Sequence, residues 1–385
     1  MDFDVVIVGG GLAGLALAVA MRTARLRVAL VESQPVPARH DGWDARVYAI
    51  SPANVRFLEQ IGVWRRLDAA RMAPIAAMEI HGDRGGRLDF SAGAVGVPAL
   101  AWIVESSLMQ RELLASAKRQ SNLELLCPAR PARLSFAADR ATLHLQDGRT
   151  LAAKLVVAAD GADSWTRRAA GIEVAFHPYR QHGVVANFAC ERPPAGMACQ
   201  WFRDGGTLAY LPLPGKLMSM VWATSPEHAA QLLALDAAGL CARVAEAGRH
   251  RFGSLAPLTP PAAFPLRLMR APGVVAPHLA LIGDAAHTIH PLSGHGINLG
   301  FQDARVLAEV LAACPGHVHC GDVRWLRRYE RLRREEVVAL QSVTDGLQKL
   351  FAHRGQPVSL LRNFGLTLTN HLPFVRNALA RYAMG

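Results

Sequence analysis

The chain has 385 residues, 51% apolar and 19% charged, with no low-complexity tract and no repeat at a fixed period; this excludes a disordered chain or a solenoid and suits two joined domains, or one with a large insertion. Its 42 Lys and Arg against 31 Asp and Glu give a formal charge of +11, which favours anionic partners: a phosphorylated cofactor, an acidic lipid surface or nucleic acid. Six scattered cysteines without a paired framework, and an N-terminus MDFD without a basic leader, read as a reduced, cytoplasmic protein.

The first elements lie in DVVIVGGGLAGLALAVAMRTARLRVALVES. The uncharged run from Val5 to Met21 has nearly the length of a membrane span, but its β-formers and successive glycines favour strand, turn and helix. The spacing predicts a buried strand at Val5 to Val8, a helix at Leu12 to Thr23 and a second strand at Val28 to Val31. Gly9, Gly11 and Gly14 form G-x-G-x-x-G: Gly9 for the tight turn, Gly11 for approach to a pyrophosphate, Gly14 for close packing of helix on strand. Glu32 follows where a carboxylate can hold ribose hydroxyls and repel a 2′-phosphate, so the site suits FAD or NAD.

The segment KLVVAADGADSWTRRAAGI (154–172) has the same grammar: a strand, Asp160 and Gly161 in a turn, then Ser164 and Arg167 opening a helix. These residues can orient a pyrophosphate or a visiting nicotinamide, or form a plain helix cap with an exposed arginine. Segments 76–100 and 176–265 read as β-rich, with alternation in TLAYLPL and LMSMVWAT.

A third strand ends at Gly283 and Asp284 in HLALIGDAAHTIHPLSGHGINLG, before a helix that starts near Gly296 or Ile297. That places Asp284 beside a polyol and the N–H groups of Gly296, Ile297 and Asn298 at a positive helix end. His287 and His290 lack a third metal ligand, and in CPGHVHC (314–320) four ligands from so short a loop strain a tetrahedron, so no metal is expected. Ser293 lacks the preceding strand of a hydrolase elbow. RWLRRYERLRREE (324–336) carries acids three and four residues from its arginines and reads as a solvated helix, not a nucleic-acid surface. Leu340, Val343, Leu347 and Leu350 mark a helix with one apolar face, expected in the core.

The glycine fingerprint, ADG…S..R and GDAAH..HP..G.G.N, in that order, resemble group A flavoprotein monooxygenases of the p-hydroxybenzoate hydroxylase fold. DARVYAISPANVRFLEQIGVW, AWIVESSLMQRELL, GTLAYLPLPGKLMSMVWATSPEHA and the tail RNALARYAMG are similar to the ubiquinone-biosynthesis hydroxylases, over nearly the whole chain. The implied fold is α/β: a discontinuous Rossmann-like FAD-binding domain (1–75, 101–175, 266–335), an inserted antiparallel β-rich substrate domain (76–100, 176–265) and a C-terminal helical segment (336–385).

The resemblance implies that Arg46 lies near the FAD pyrophosphate and Arg111 near the ribityl phosphate; for each, a surface arginine is the alternative. Asp160 would lie between pyrophosphate and the NAD(P)H path, Asp284 at the ribityl chain, Pro291 against the isoalloxazine, and Gly296, Ile297 and Asn298 at its pyrimidine edge. Two positions depart from the family: Ser106 stands for Asn or Gln, and His295 for Gln. Phe202, Tyr210, Pro212 and Trp222 are the candidates for the substrate pocket, with core packing as the alternative. His290 and His295 are the candidates for phenol deprotonation.

The activity implied is hydroxylation of a polyprenylated phenol in ubiquinone biosynthesis: NADH or NADPH reduces non-covalent FAD and leaves, and O2 is activated as a C4a-hydroperoxyflavin. An apolar-tailed substrate, the +11 charge and the basic, partly apolar C-terminal tail suit peripheral docking on an anionic membrane. Two competitors stand: another flavoenzyme acting on a soluble aromatic or an isoprenoid, and a non-catalytic FAD-binding subunit among other ubiquinone-biosynthesis enzymes. Whether the chain is a homo-oligomer, and which ring carbon it attacks, are left open.

Overall fold

The structure, a computed structural model, describes residues 2–35, 42–203, 205–290, 294, 296–353 and 356–384. Its first sheet has the strand order Val275–Ala276, Leu279–Leu281, Thr150–Ala158, Asp2–Val8, Val28–Val31, Leu123–Leu126, with Ala141–Leu145 and Pro131–Phe136 branching from it. The strands from Leu279–Leu281 to Leu123–Leu126 pair in parallel. Within Asp2–Val8 the stretch Val5 to Val8 is uninterrupted apolar because both its faces are covered: Val5 and Ile7 enter a core with the helices, Val6 and Val8 a core with the branching strands.

Helix Leu12–Ala20 ends in a 3-10 turn at Met21–Thr23, where the sequence suggests one continuous helix. Register then fixes the site: Val8 lies beside both Ala158 and Val31, so the turns after three parallel strands open at the same carboxyl edge, the usual place for a ligand in such a sheet.

A second sheet covers that edge. Its order is His287–Thr288, Ala262–Arg270, Phe176–Cys190, Leu217–Thr224, Gly206–Leu213, Met197–Arg203, Ala77–His81, Arg87–Ser91. All these neighbours pair antiparallel except Met197–Arg203 with Ala77–His81, so the covering sheet is mixed where a purely antiparallel one was expected. One face of the sheet packs on helices Pro226–Ala234 and Ala237–Ala247 through Leu232, Leu240 and Val244. The other faces the first sheet across a cavity.

Helix Val323–Ala352 runs for 30 residues along both sheets, followed by Gln356–His371 and Pro373–Met384. Among the described residues no helix is long and apolar enough to cross a membrane.

Candidate active site

Three turns build one end of the cavity. In the first, Gly9 has φ +113° and a Cβ on it would sit 2.4 Å from the Ala159 carbonyl oxygen; at Gly14 a Cβ would sit 2.0 Å from the oxygen of Gly9. Packing alone therefore demands both glycines. Gly11 differs, since a Cβ there meets nothing within 4 Å and the helix behind it has no side-chain cap. Its free N–H groups and positive dipole end face the cavity. Glu32 accepts from the backbone N–H of Gly10 and of Gln34, each at 2.6 Å.

The second turn carries Asp160. Ser164 caps helix Trp165–Ala169 by accepting from the Arg167 N–H at 2.9 Å; its Oγ donates to Asp160 at 2.5 Å, and the N–H and Oγ1 of Thr166 donate to Asp160 at 2.9 Å each, so this carboxylate braces the helix start while it faces the cavity. Arg167 is neither exposed nor turned to the cavity. It is buried and donates to the carbonyls of Ala162 (2.9 Å) and Ala285 (2.8 Å), which ties the second turn to the third; burial pulls its pKa below the ordinary guanidinium value.

The third turn, Gly283–Ala285, rests on Asp303. One carboxylate oxygen of Asp303 accepts from the Gly283 N–H at 2.9 Å and contacts His287 Nε2 at 2.7 Å; the other accepts from Arg333 Nε at 2.7 Å. Asp284 beside it turns its accessible surface into the cavity, deep in the protein. Desolvation raises its pKa, against the opposing fields of His287 and Arg46. Asn298 contributes more than its backbone: its Oδ1 accepts from Ser51 N–H and Asn54 Nδ2, both at 2.9 Å, and its Nδ2 donates to Ala49 O at 2.7 Å. That side chain locks segment 49–54 to the N-terminus of helix Gly296–Ala312.

The cavity measures about 2140 Å³, against ~300–1,000 Å³ for a usual small-molecule site. It brings together Gly9, Gly11, Glu32, Arg46, Ser106, Asp160, Gly161, Gly283, Asp284, Gly296, Ile297, Asn298 and Phe202. Pro291 and His295 lie outside the described residues. Arg111 does not reach the cavity; Gln110 does, and its Nε2 donates to the Gly10 carbonyl at 3.1 Å. Ser106 and Gln110 are four apart on helix Ser106–Lys118 and share a face that Arg111 leaves, a spacing readable in the sequence.

Three pocket candidates fall on the wrong side of the covering sheet. Ala209, Leu211 and Val221 line the cavity, so by strand alternation Tyr210, Pro212 and Trp222 point away. Tyr210 and Trp222 sit in the core against the two helices, and Tyr210 Oη donates to the Val244 carbonyl. Phe202 is on the cavity side and stacks on Phe351, with ring centroids 3.6 Å apart.

His290 is likewise outside the lining. Its Nε2 lies 3.0 Å from Gln181 Oε1, its ring meets Tyr179 edge-on at 4.8 Å, and burial drives its pKa down to about 4, so it is a neutral packed imidazole. The apolar face of Leu340, Val343, Leu347 and Leu350 is not core but continues the cavity wall, while Gln341 and Thr344 on the same helix are buried. In the 314–320 loop, Cys320 is buried with Sγ 3.7 Å from Asp4 O, and His319 packs against His278; among the described residues no group of three or more His, Cys, Asp or Glu is placed to hold a metal.

A cofactor fits this end on the structure's own terms: Cβ atoms at Gly11, Gly161 and Gly296 would enter open space, and two helices begin there. Comparison with known proteins agrees. The model of the FAD binding domain family matches residues 2–342. The 3-demethoxyubiquinol 3-hydroxylase of Escherichia coli (strain K12) is 34% identical over 99% of this chain and 98% of that protein. The ubiquinone hydroxylase of Rhodospirillum rubrum is 34% identical over 99% of this chain and 89% of that protein. The p-nitrophenol 4-monooxygenase of Pseudomonas putida DLL-E4 shares the fold, with a TM-score of 0.81 at 18% identity, covering 100% of this chain and 99% of that one. The chain therefore belongs to the FAD-binding-domain family of flavoprotein monooxygenases, among its ubiquinone-biosynthesis hydroxylases.

Proposed function

We propose that this enzyme hydroxylates a polyprenylated phenol on the way to ubiquinone, with NADH or NADPH as the transient donor and O2 as the source of the oxygen atom. The observation that carries this reading is the cavity's two-part lining: three nucleotide turns at one end, and at the other an apolar run through Phe202, Leu347, Leu350 and Phe351. An aromatic head fits between the sheets, and an apolar tail suits the run; a soluble aromatic would leave that run empty.

FAD, when bound, supplies hydride acceptance and O2 activation. The chain's residues bind, orient and keep water out. The N-terminus of helix Leu12–Ala20 would hold the pyrophosphate with Arg46, and Glu32 the adenosine ribose. Asp284 would accept from the ribityl hydroxyls, and the N–H groups of Gly296, Ile297 and Asn298 would donate to the pyrimidine edge. Phe264, Pro265 and Leu266 on the covering sheet give the head a dry wall. The membership of segments 77–91 and 176–270 in one sheet supports a substrate domain inserted at about the boundaries read from the sequence.

The test is oxygen transfer. The holoenzyme is given NAD(P)H, a tailed phenol and ¹⁸O2; phenol-stimulated NAD(P)H oxidation with one labelled oxygen in the product is expected, and unlabelled phenol with unstimulated oxidation overturns the reading.

A further inference from the structure

The helix Gln356–His371 is inside out. Surface helices in water turn apolar side chains inward and polar ones outward. Here the side chains against the covering sheet are polar and buried: Ser359, Arg362 and Asn363. Ser359 Oγ donates to Asp83 at 2.9 Å, Arg362 pairs with the same carboxylate, and Asn363 Oδ1 accepts from the N–H of Arg84 (3.1 Å) and of Gly86 (3.0 Å). A Cβ on Gly82 would lie 2.1 Å from that oxygen, so the contact is built to be this close. The outward side chains are Leu360 (61% exposed), Leu361 (69%) and Phe364 (64%), and the next helix adds Phe374 at 87%.

The two helices themselves carry charge of one sign. From residue 356 to 385 there is no Asp or Glu and there are three arginines. Asp83 neutralises Arg362, which leaves exposed Arg381, exposed Arg84 on the adjoining turn, and Arg376, which lies at the edge beside Glu79, Arg87 and Asp89. The face also holds an opening, for Leu361, Leu379 and Tyr382 are exposed and line the cavity at once.

We propose that helices Gln356–His371 and Pro373–Met384 dock the protein on an anionic bilayer. Leu360, Phe364 and Phe374 enter the acyl boundary, Arg376 and Arg381 meet lipid phosphates, and the cavity opens into the lipid so that an apolar tail enters without crossing water. Two observations favour lipid over a protein partner: the acid-free pair of helices complements a negative surface, and a protein seated here would seal the opening. The delivery role rests on the tailed-phenol reading; the docking itself rests on the inverted helix and its charge.

The experiment is flotation of the holoenzyme with vesicles of phosphatidylglycerol and phosphatidylcholine, beside vesicles of phosphatidylcholine alone. The wild type is expected to float with the acidic vesicles and to be released toward ~1 M salt, where the screening length falls to ~3 Å. The triple variant Leu360→Glu, Phe364→Glu, Phe374→Glu is expected to lose flotation while keeping the wild-type melting temperature and flavin content. A wild type that stays at the bottom, or a variant that floats equally, overturns the proposal. So does a wild-type oligomer without lipid that the triple variant dissolves, which would assign the face to a second copy. Both proteins are also assayed with a water-soluble, tail-less phenol: if neither hydroxylates any phenol the hydroxylase reading falls, and the flotation result stands apart from it.

Discussion

Asp303 and His287 share a 2.7 Å hydrogen bond directly beneath the turn that carries Asp284. With Arg333 Nε and the Gly283 N–H on the same carboxylate, Asp303 is a fully buried anion held by three donors. Those partners keep its pKa below the usual carboxylate value even though burial pushes the other way. Asp303→Ala would strip the buried Arg333 Nε of its acceptor, leaving that guanidinium only Glu336, and cost about 3–5 kcal/mol. Urea unfolding measures the loss, and flavin titration of the folded fraction should show weaker binding as the turn loosens.

The glycines of the first turn separate two kinds of necessity. Gly14→Ala forces a methyl to within 2.0 Å of the Gly9 oxygen and should abolish folding or lower the melting temperature sharply. Gly11→Ala puts its methyl into open cavity. That protein should melt like the wild-type apoprotein and yet fail to take up FAD, read by flavin fluorescence after purification.

Strand parity predicts opposite phenotypes for two aromatics of the covering sheet. Trp222→Ala removes a ring from the helix-side core and should cost about 3–5 kcal/mol of stability, with KM for the phenol unchanged in protein that folds. Phe202→Ala removes a ring from the cavity wall and from its stack on Phe351. Loss of aromatic contact of about 0.5–1.5 kcal/mol should raise KM two- to tenfold, measured by steady-state kinetics.

His290 gives a pH dependence with a definite sign. Burial lowers its folded pKa from 6.5 to about 4, with Asp345 opposing, so between those values the unfolded chain binds the extra proton. The stability held by the neutral imidazole is complete above pH 6.5 and drains away as pH falls toward 4. His290→Gln should reduce the stability difference between pH 7 and pH 4.5 by about 2–3 kcal/mol, read by urea unfolding at both values.

What the sequence discloses follows the range of the interaction. The first turn is legible because its glycines, helix start and Glu32 lie within one strand-turn-helix-strand unit. Asp303 and Arg333 are not, since their bond spans 30 residues and depends on how two helices cross. Tyr210, Pro212 and Trp222 were misplaced because alternation reveals that a strand has two faces and not which one looks at a ligand, when both are apolar. The face of Leu340 to Leu350 failed for a related reason: apolar periodicity marks a dry side, and a ligand channel is as dry as a core.

Helix Val323–Ala352 carries Arg333 about a third of the way along and Phe351 at its end, eighteen residues or ~27 Å apart. Between them Gln341 Nε2 donates to the carbonyls of Met269 (2.9 Å) and Thr288 (3.0 Å), pinning the rod where two strands of the covering sheet meet. The turn under Asp284 and the aromatic wall at Phe202 are thus mounted on a single beam with a fixed pivot. The support of the Gly283 turn and the Phe202–Phe351 stack therefore depend on the continuity of the same helix.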